Sequence, residues 1–510
     1  MKSLKRIFNF LIIFAYLFLS QNAHSRSVQI ATSIDALEIN ADNFLRITAD
    51  PLWGQLVCRP IFQWNLQSGS YEPILVRGVQ DLKGADKSSK WIYTLRTGLS
   101  WGDGEVFNAS HLEQIIKDHL PKVIRKNLPQ IKADLPFEVQ ATSQTLTISW
   151  PERPPFGPYI LAQLPITKKR TQHKTNFSDD KSQVCVGKYT SNFNKGDWLF
   201  TLKGDSNHKL PREIFLQSRN KKTSKDDLFL TFAASFDSSP KTRLSDEASS
   251  CSLTILAPFV TLISWNVKNP LVDHPKIREI LTTMLPRGEL LRAGSGFLGE
   301  LLSAPIPRWH PGYDQSLAIR PFDLQKAADS LTAQGLVRST AHGPRLLAKS
   351  GAALALRIGV DAPRPGLMEK VIGDSFAAVG IELQFDRMPQ NTEQGQKYSG
   401  DGVLSTLRID SQQLSYLSLL HSQHPTSTFP LNAIEDPSFD QAWESYALSL
   451  TQQRPDANFL KKVHQVLYRQ EYISTLFQHK FCVEGAKTMD KMTRSDNFYT
   501  NPAWFVNLLM

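Results

Sequence analysis

Few side chains in this sequence are spaced for chemistry, and the most conspicuous stand in Trp101-Gly102-Asp103-Gly104-Glu105. Glycines on both sides of an aspartate suit either a phosphate loop or a carboxylate held for proton transfer. A phosphate loop needs G-x-x-x-x-G-K-[ST], and the lysine is missing. Asp103 also lacks a partner for acid–base work within the motif, so a structural turn is the better reading. His421 and His424 form the closest histidine pair. Spaced i, i+3, they could share a helix face as metal ligands, but the His424-Pro425-Thr426 continuation reads as a loop and no metal site is expected. The four cysteines, Cys58, Cys185, Cys251 and Cys482, include no C-x-x-C spacing, which argues against zinc and thioredoxin chemistry. In an exported chain they allow three disulfide connectivities. No G-x-S-x-G or H-E-x-x-H stretch is present, so the sequence reads as a non-enzyme without a cofactor.

The elements around these residues are clearer. Lys90 to Arg96 alternates Trp91, Tyr93 and Leu95 against Ile92, Thr94 and Arg96, which is strand periodicity. Gly102 and Gly104 permit the turn after it. Asn108 fits a helix N-cap, Phe107 and Leu112 fit the hydrophobic staple, and Leu112, Ile115, Ile116 and Leu120 follow helical spacing. Thr145 to Trp150 alternates as a strand, 151–158 is a proline-rich rigid loop, and 186–205 reads as a hairpin turning at Gly196-Asp197. The stretch 206–252 is polar and irregular except for an apolar island at 227–236. Further on, 354–360 alternates, Val371, Ile372, Phe376 and Val379 share a helix face stopped by Gly380, and 381–385 alternates again. Strand, helix and strand at this spacing form a βαβ unit. Helices are also expected at 323–335, 438–450 and 457–471, the last burying Phe459, Val463, Val466 and Leu467.

The chain of 510 residues carries a formal charge of +10. Lys2, Lys5 and Arg6 precede an apolar run of signal-peptide length, and Ala23 and Ser25 offer a small-residue cleavage site, so residues 1–25 read as a cleavable secretory leader without a lipoprotein cysteine. The remainder of the chain is long enough for more than one domain and has no continuous apolar stretch of membrane-spanning length. The basic runs 166–174 and 219–225 lack interleaved aromatics, so solvated loops or contact with anionic surfaces are expected rather than a nucleic-acid surface.

Taken in order, the motifs resemble family 5 of the bacterial extracellular solute-binding proteins, which includes oligopeptide-, dipeptide- and nickel-binding components of ABC importers. The stretch 95–112 keeps Leu95, Arg96, Trp101, Asp103, Gly104 and Ala109 of the family's pattern, with Val106 for its proline, Asn108 for its capping threonine and His111 for its helix aspartate. Gly187 and Tyr189 match a G-P-Y segment in which Lys188 replaces proline. Asn266, Pro270, Asp273, Arg278 and Arg287 match the lobe-crossing strand and the helix and turn after it, with Pro286 where the family has aspartate. The stretches 304–314, 322–335 and 436–480 resemble the next loop, its helix, the paired helices and the return strand.

The resemblance implies an α/β, two-lobed periplasmic-binding-protein fold of type II, of the enlarged peptide-binding class, with the ligand cleft between the lobes. Lobe I would comprise 26–262 and 478–510, and lobe II 263–477. It implies a periplasmic, monomeric solute-binding protein that delivers a peptide-like or other small solute to an inner-membrane ABC permease by hinge closure. A transport-independent sensor module of the same fold is the alternative, and a periplasmic hydrolase is the weakest reading. Peptide binders of the family carry an aspartate that pairs with the ligand's α-amino group, and Asp410 falls on it. Around it Leu407, Ser411, Gln413 and Leu414 replace the family's Trp, Tyr, Asp and Pro. Arg408 could hold a ligand carboxylate in a bidentate pair.

Overall fold

The computed structural model describes residues 27–32, 58–65, 68–131, 135–169, 183–187, 189–194, 197–202, 213–218, 228–232, 253–295, 299–347, 350–361, 366–387, 399–408, 414–424 and 433–484. The leader 1–25, Cys251 and Asp410 lie outside them.

An N-terminal block is built from two antiparallel sheets and one long helix. Strands β2 (Phe62–Asn65) and β3 (Ser70–Pro73) form a hairpin. Strands β4 (Val76–Lys83), β5 (Ser89–Leu95), β6 (Glu138–Ala141) and β7 (Thr145–Trp150) form a four-stranded sheet in the order β4-β5-β7-β6. The alternation expected in β5 and β7 is present: Trp91, Tyr93 and Leu95 are buried, as are Leu146, Ile148 and Trp150. Helix α1 (Ala109–Asn127) lays Leu112, Ile115, Ile116 and Leu120 on this core. Its N-cap is Asn108, whose side chain accepts from His111 N at 3.1 Å while His111 Nδ1 accepts from Asn108 N at 3.3 Å. The histidine that stands in place of the family's helix aspartate therefore completes the capping box itself. Short strands β8 (Thr167–Lys169) and β9 (Gln183–Cys185) pair at the block's exit. The Cys58–Cys185 disulfide, with Cα atoms 4.8 Å apart, joins the block's incoming and outgoing chain into a double-stranded neck. Of the three connectivities open in the sequence, this bond fixes one pair.

An eleven-stranded sheet runs through the rest of the molecule. One half holds β1 (Ser27–Thr32), β10 (Tyr189–Asn194), β11 (Asp197–Leu202), β12 (Glu213–Ser218) and β13 (Leu228–Phe232). Strands β10 and β11 pair antiparallel, Asn194 opposite Asp197, and Asp197 of the expected turn begins β11. Strand β12 departs from the irregular reading of 206–252. Partners on both sides, β1 and β11, hold it despite its weak local signal.

The other half of the sheet is wrapped by helices. From the long strand β14 (Leu253–Trp265) the chain passes through α2 (Pro275–Thr283), α3 (Arg287–Ser295), β15 (Gly299–Leu301) and α4 (Leu324–Ala333). It continues through β16 (Ala355–Asp361), α5 (Gly366–Ala378), β17 (Glu382–Arg387) and β18 (Gly402–Arg408) to α6 (Pro437–Ser449), α7 (Ala457–Gln470) and the second long strand, β19 (Ile473–Glu484). The βαβ unit is β16-α5-β17, parallel in register, and Gly380 ends α5 at φ +83°. In α7 the buried positions are Leu460, Val463, His464 and Leu467. Phe459 and Val466 of the expected stripe are only partly buried, since the helix is rotated to bring His464 inward.

Two apolar clusters lie on opposite faces of the second half. Ile263, Trp265, Leu404 and Phe477 pack with α2, α3, α4 and α5. Val260 and Leu262 pack with α6, α7 and the N-terminal block. Alternation along β14 sends successive residues to opposite faces, so one strand serves both cores.

Candidate functional site

Strand directions locate the site. In the first half β12 and β13 are parallel to β1, and β13 runs toward Phe232, which pairs with Phe481 of β19. In the second half β16, β17 and β18 are parallel, and β18 runs from Gly402, opposite Trp265, to Arg408, opposite Phe259. The carboxyl ends of the two parallel sets therefore point toward each other across the middle of β14 and β19. At that level the β14–β19 register breaks between Leu256 and Val260. Carboxyl ends of parallel strands are where open α/β sheets bind ligands. A register break in the two strands that link the halves is where the sheet can bend.

Arg408 is the last residue of β18 and stands at this edge; its backbone is described and its side chain is not. Asp410 lies two residues beyond, outside the described residues. The chain resumes at Leu414, fully buried at φ +52°, which caps the 3-10 turn Ser415–Leu420. Leu417 and Leu420 of that turn share an apolar cluster with Leu112 and Ile116 of α1, and turn and helix are in contact. The described chain before 409–413 thus belongs to β18, and the described chain after it packs on the N-terminal block.

A polar group near the end of β18 does not stand out in the sequence. His479 Nε2 lies 2.7 Å from Thr261 Oγ1, and Thr261 Oγ1 lies 2.9 Å from Thr406 Oγ1. His479 and Thr261 are buried, and Thr406 is half-buried two residues before Arg408. Burial pushes the His479 imidazole down to about 4, so it is neutral at pH 7. The available signal is a histidine and threonines at inward positions of otherwise apolar strands.

The other candidates resolve as structure. Asp103 and Glu105 both pair with Lys168, at 2.9 Å for Asp103, and Lys168 covers the Trp101 ring at 5.2 Å. Burial pushes the Asp103 carboxyl up, but the hydrogen bonds from Lys168 and Glu105 N and the Lys168 charge together outweigh it and hold the group below the usual carboxylate range. Gly102 N donates to Cys185 O at 2.8 Å. The W-G-D-G-E turn is therefore bolted to the disulfide neck, and Lys168, expected in a solvated loop, neutralises it. His421 is buried; its Nδ1 accepts from Gln423 N at 3.1 Å, which leaves the Nε2 proton for Glu444 at 3.2 Å. It ties the 3-10 turn to α6. Among the described residues no group of three or more His, Cys, Asp and Glu is arranged to hold a metal.

One arrangement imitates a nucleophile and its base. Ser303 Oγ lies 3.0 Å from His464 Nε2. His464 Nδ1, however, accepts from Asp314 N at 2.9 Å. A backbone N–H can only donate, so the imidazole lone pair is on Nδ1 and Nε2 carries the proton. Nε2 then donates to Ser303 and cannot take its proton, which is the reverse of what a general base requires.

No family model matches the sequence, and no curated protein matches it. Solved structures do. An oligopeptide ABC transporter periplasmic oligopeptide-binding protein of Thermotoga maritima matches with a TM-score of 0.67 at 14% identity, over 95% of this chain and 97% of its own. A putative peptide-binding protein, AppA, of Clostridium difficile matches at 0.64 and 16% identity, over 91% and 95%. NikA of Brucella suis, solved with Fe(III)-EDTA, matches at 0.65 and 13% identity, over 90% and 95%. The fold expected from the sequence is thereby established: the chain has the two-lobed architecture of these binding proteins.

Proposed function

We propose that this protein is a family 5 solute-binding component of an ABC importer, which encloses a peptide-like solute between its lobes and presents it to the permease. The observation that carries this reading is the pair of carboxyl edges opposed across the register break in β14 and β19. Closing such a hinge surrounds a ligand with loops from both halves. The lobes are 26–262 with 478–510, and 263–477. The leader 1–25 directs the chain to the periplasm, where it acts as a monomer.

Asp410 anchors the solute's α-ammonium, and Arg408 faces a carboxylate. In a closed cleft a carboxylate–ammonium pair is a charge-assisted hydrogen bond, stronger than the same pair in water. Asp410→Asn keeps the shape and removes the charge. Calorimetry with trialanine should show a loss of about 2–5 kcal/mol. N-acetyl-trialanine, which has no ammonium, should bind wild type and variant alike. Equal affinity of wild type and Asp410→Asn for trialanine would remove the amine anchor, and with it the peptide as the solute class.

A further inference from the structure

Besides the shared apolar cluster, the N-terminal block touches the second half of the molecule at the turn between α6 and α7. Between α6 and α7 the chain turns through Thr451, Gln452 and Gln453. Thr451 Oγ1 accepts from Gly157 N at 2.7 Å and donates to Leu448 O at 2.7 Å. Thr451 O accepts from Tyr159 N at 3.1 Å, and Gln453 O accepts from Tyr71 N at 2.8 Å. The approach is close: a Cβ on Gly157 would lie 2.5 Å from Thr451 O, so only glycine fits there.

The block's side of this contact is rigid. Tyr93 Oη donates to Pro158 O at 2.9 Å, and the Tyr159 ring packs on Phe62 and Tyr71 at centroid distances of 4.7 and 5.7 Å. The block itself hangs from the first half by the Cys58–Cys185 neck. The block meets the far lobe through three backbone N–H groups at this turn and through the apolar cluster it shares with α6, α7 and the 3-10 turn, so both contacts must part together when the lobes open.

We propose that Thr451 is the keystone of an inter-lobe clasp that sets how much of the protein is closed, whatever solute is bound. The clasp's effect on affinity rests on the solute-binding reading above. Apparent affinity is the intrinsic affinity scaled by the closed fraction. Thr451 therefore raises affinity by one factor for all ligands, whereas Asp410 discriminates among them.

Hydrogen exchange on the full chain, without added ligand, tests the clasp. Thr451→Val removes the acceptor for Gly157 and leaves the Tyr71–Gln453 bond untouched. If the bonds open together, the amides of Tyr71, Gly157 and Tyr159 should all exchange about tenfold faster, since a buried donor has lost its partner. Thr451→Ser keeps the hydroxyl and should restore wild-type rates. The amides of Ile92 and Tyr93 in β5 should be unchanged. Acceleration confined to Gly157, with Tyr71 unaffected, overturns the clasp. So does equal acceleration in β5, because the contact would then belong to one cooperative fold.

Discussion

Lowering the pH from 6.5 to 4 should strip several kcal/mol from the stability of this protein, and two buried histidines should account for most of the loss. Burial pushes His464 and His479 down to about 4 each, Asp314 drawing His464 slightly back up. In the unfolded chain both titrate near 6.5. Above that pH neither state binds the protons and the contribution is intact. Between 6.5 and 4 the unfolded chain takes up protons that the folded protein refuses, so stability falls with pH and levels off below about 4. Each tenfold change in proton affinity is worth about 1.4 kcal/mol, so each histidine contributes on the order of 3 kcal/mol. Asp401 and Glu471, raised by burial, pull the other way at the acid end of this window. Urea unfolding at a series of pH values measures the slope. His464→Asn and His479→Gln should each be less stable at pH 7 and flatter between 6.5 and 4. Slopes equal to wild type in both variants would mean that neither histidine is buried neutral.

Glu471→Gln should cost about 3–5 kcal/mol, the usual result of breaking a buried ion pair from one side. Glu471 ends α7 at φ +50° and is buried. Its carboxylate accepts from Arg320 Nε, and from Thr282 Oγ1 at 3.1 Å. Around it Arg320 donates to Tyr468 O at 2.9 Å, Arg287 to Thr475 O at 2.9 Å and to Arg320 O at 3.0 Å, and Arg278 to Gln470 O at 2.9 Å. These bonds weld α2, α3 and the end of α7 to the start of β19, one of the two strands that link the halves of the sheet. Removing the charge leaves the half-buried Arg320 with only the partly exposed Glu279 as counter-charge. Glu279 also pairs with Arg320, at 3.1 Å, but is a third exposed, so Glu279→Gln should cost less than about 1 kcal/mol. Denaturant midpoints of the two variants separate the cases, and similar losses would mean that the pair is solvated.

The same network explains why the fold is legible in the sequence. Arg278 and Arg287 stand out there only as family positions. Their guanidiniums are spent on backbone carbonyls at the crossing, which is why arginine suits both places. Local periodicity serves where an element makes its own core contacts, as in β5, β7 and α1. It fails at β12, which depends on strands on both flanks, and it misplaces two positions of the stripe on α7, where an inward histidine is stabilised by Ser303 and the Asp314 backbone. Much of the site is hidden for a related reason. Opposed carboxyl edges, the polar group of Thr261, Thr406 and His479, and the contact of Thr451 with Gly157 all join residues far apart in the chain. No spacing within a single segment carries that information.

Whether the lobes close on a peptide-like solute is tested most directly by native mass spectrometry. The protein, purified without refolding, is mixed with an equimolar set of defined di- to hexapeptides. The expected result is a complex holding one peptide per chain, formed with free-amine peptides and weakened for their N-acetylated counterparts. A spectrum of unliganded chain at millimolar peptide, with no small molecule released on denaturation, would contradict it.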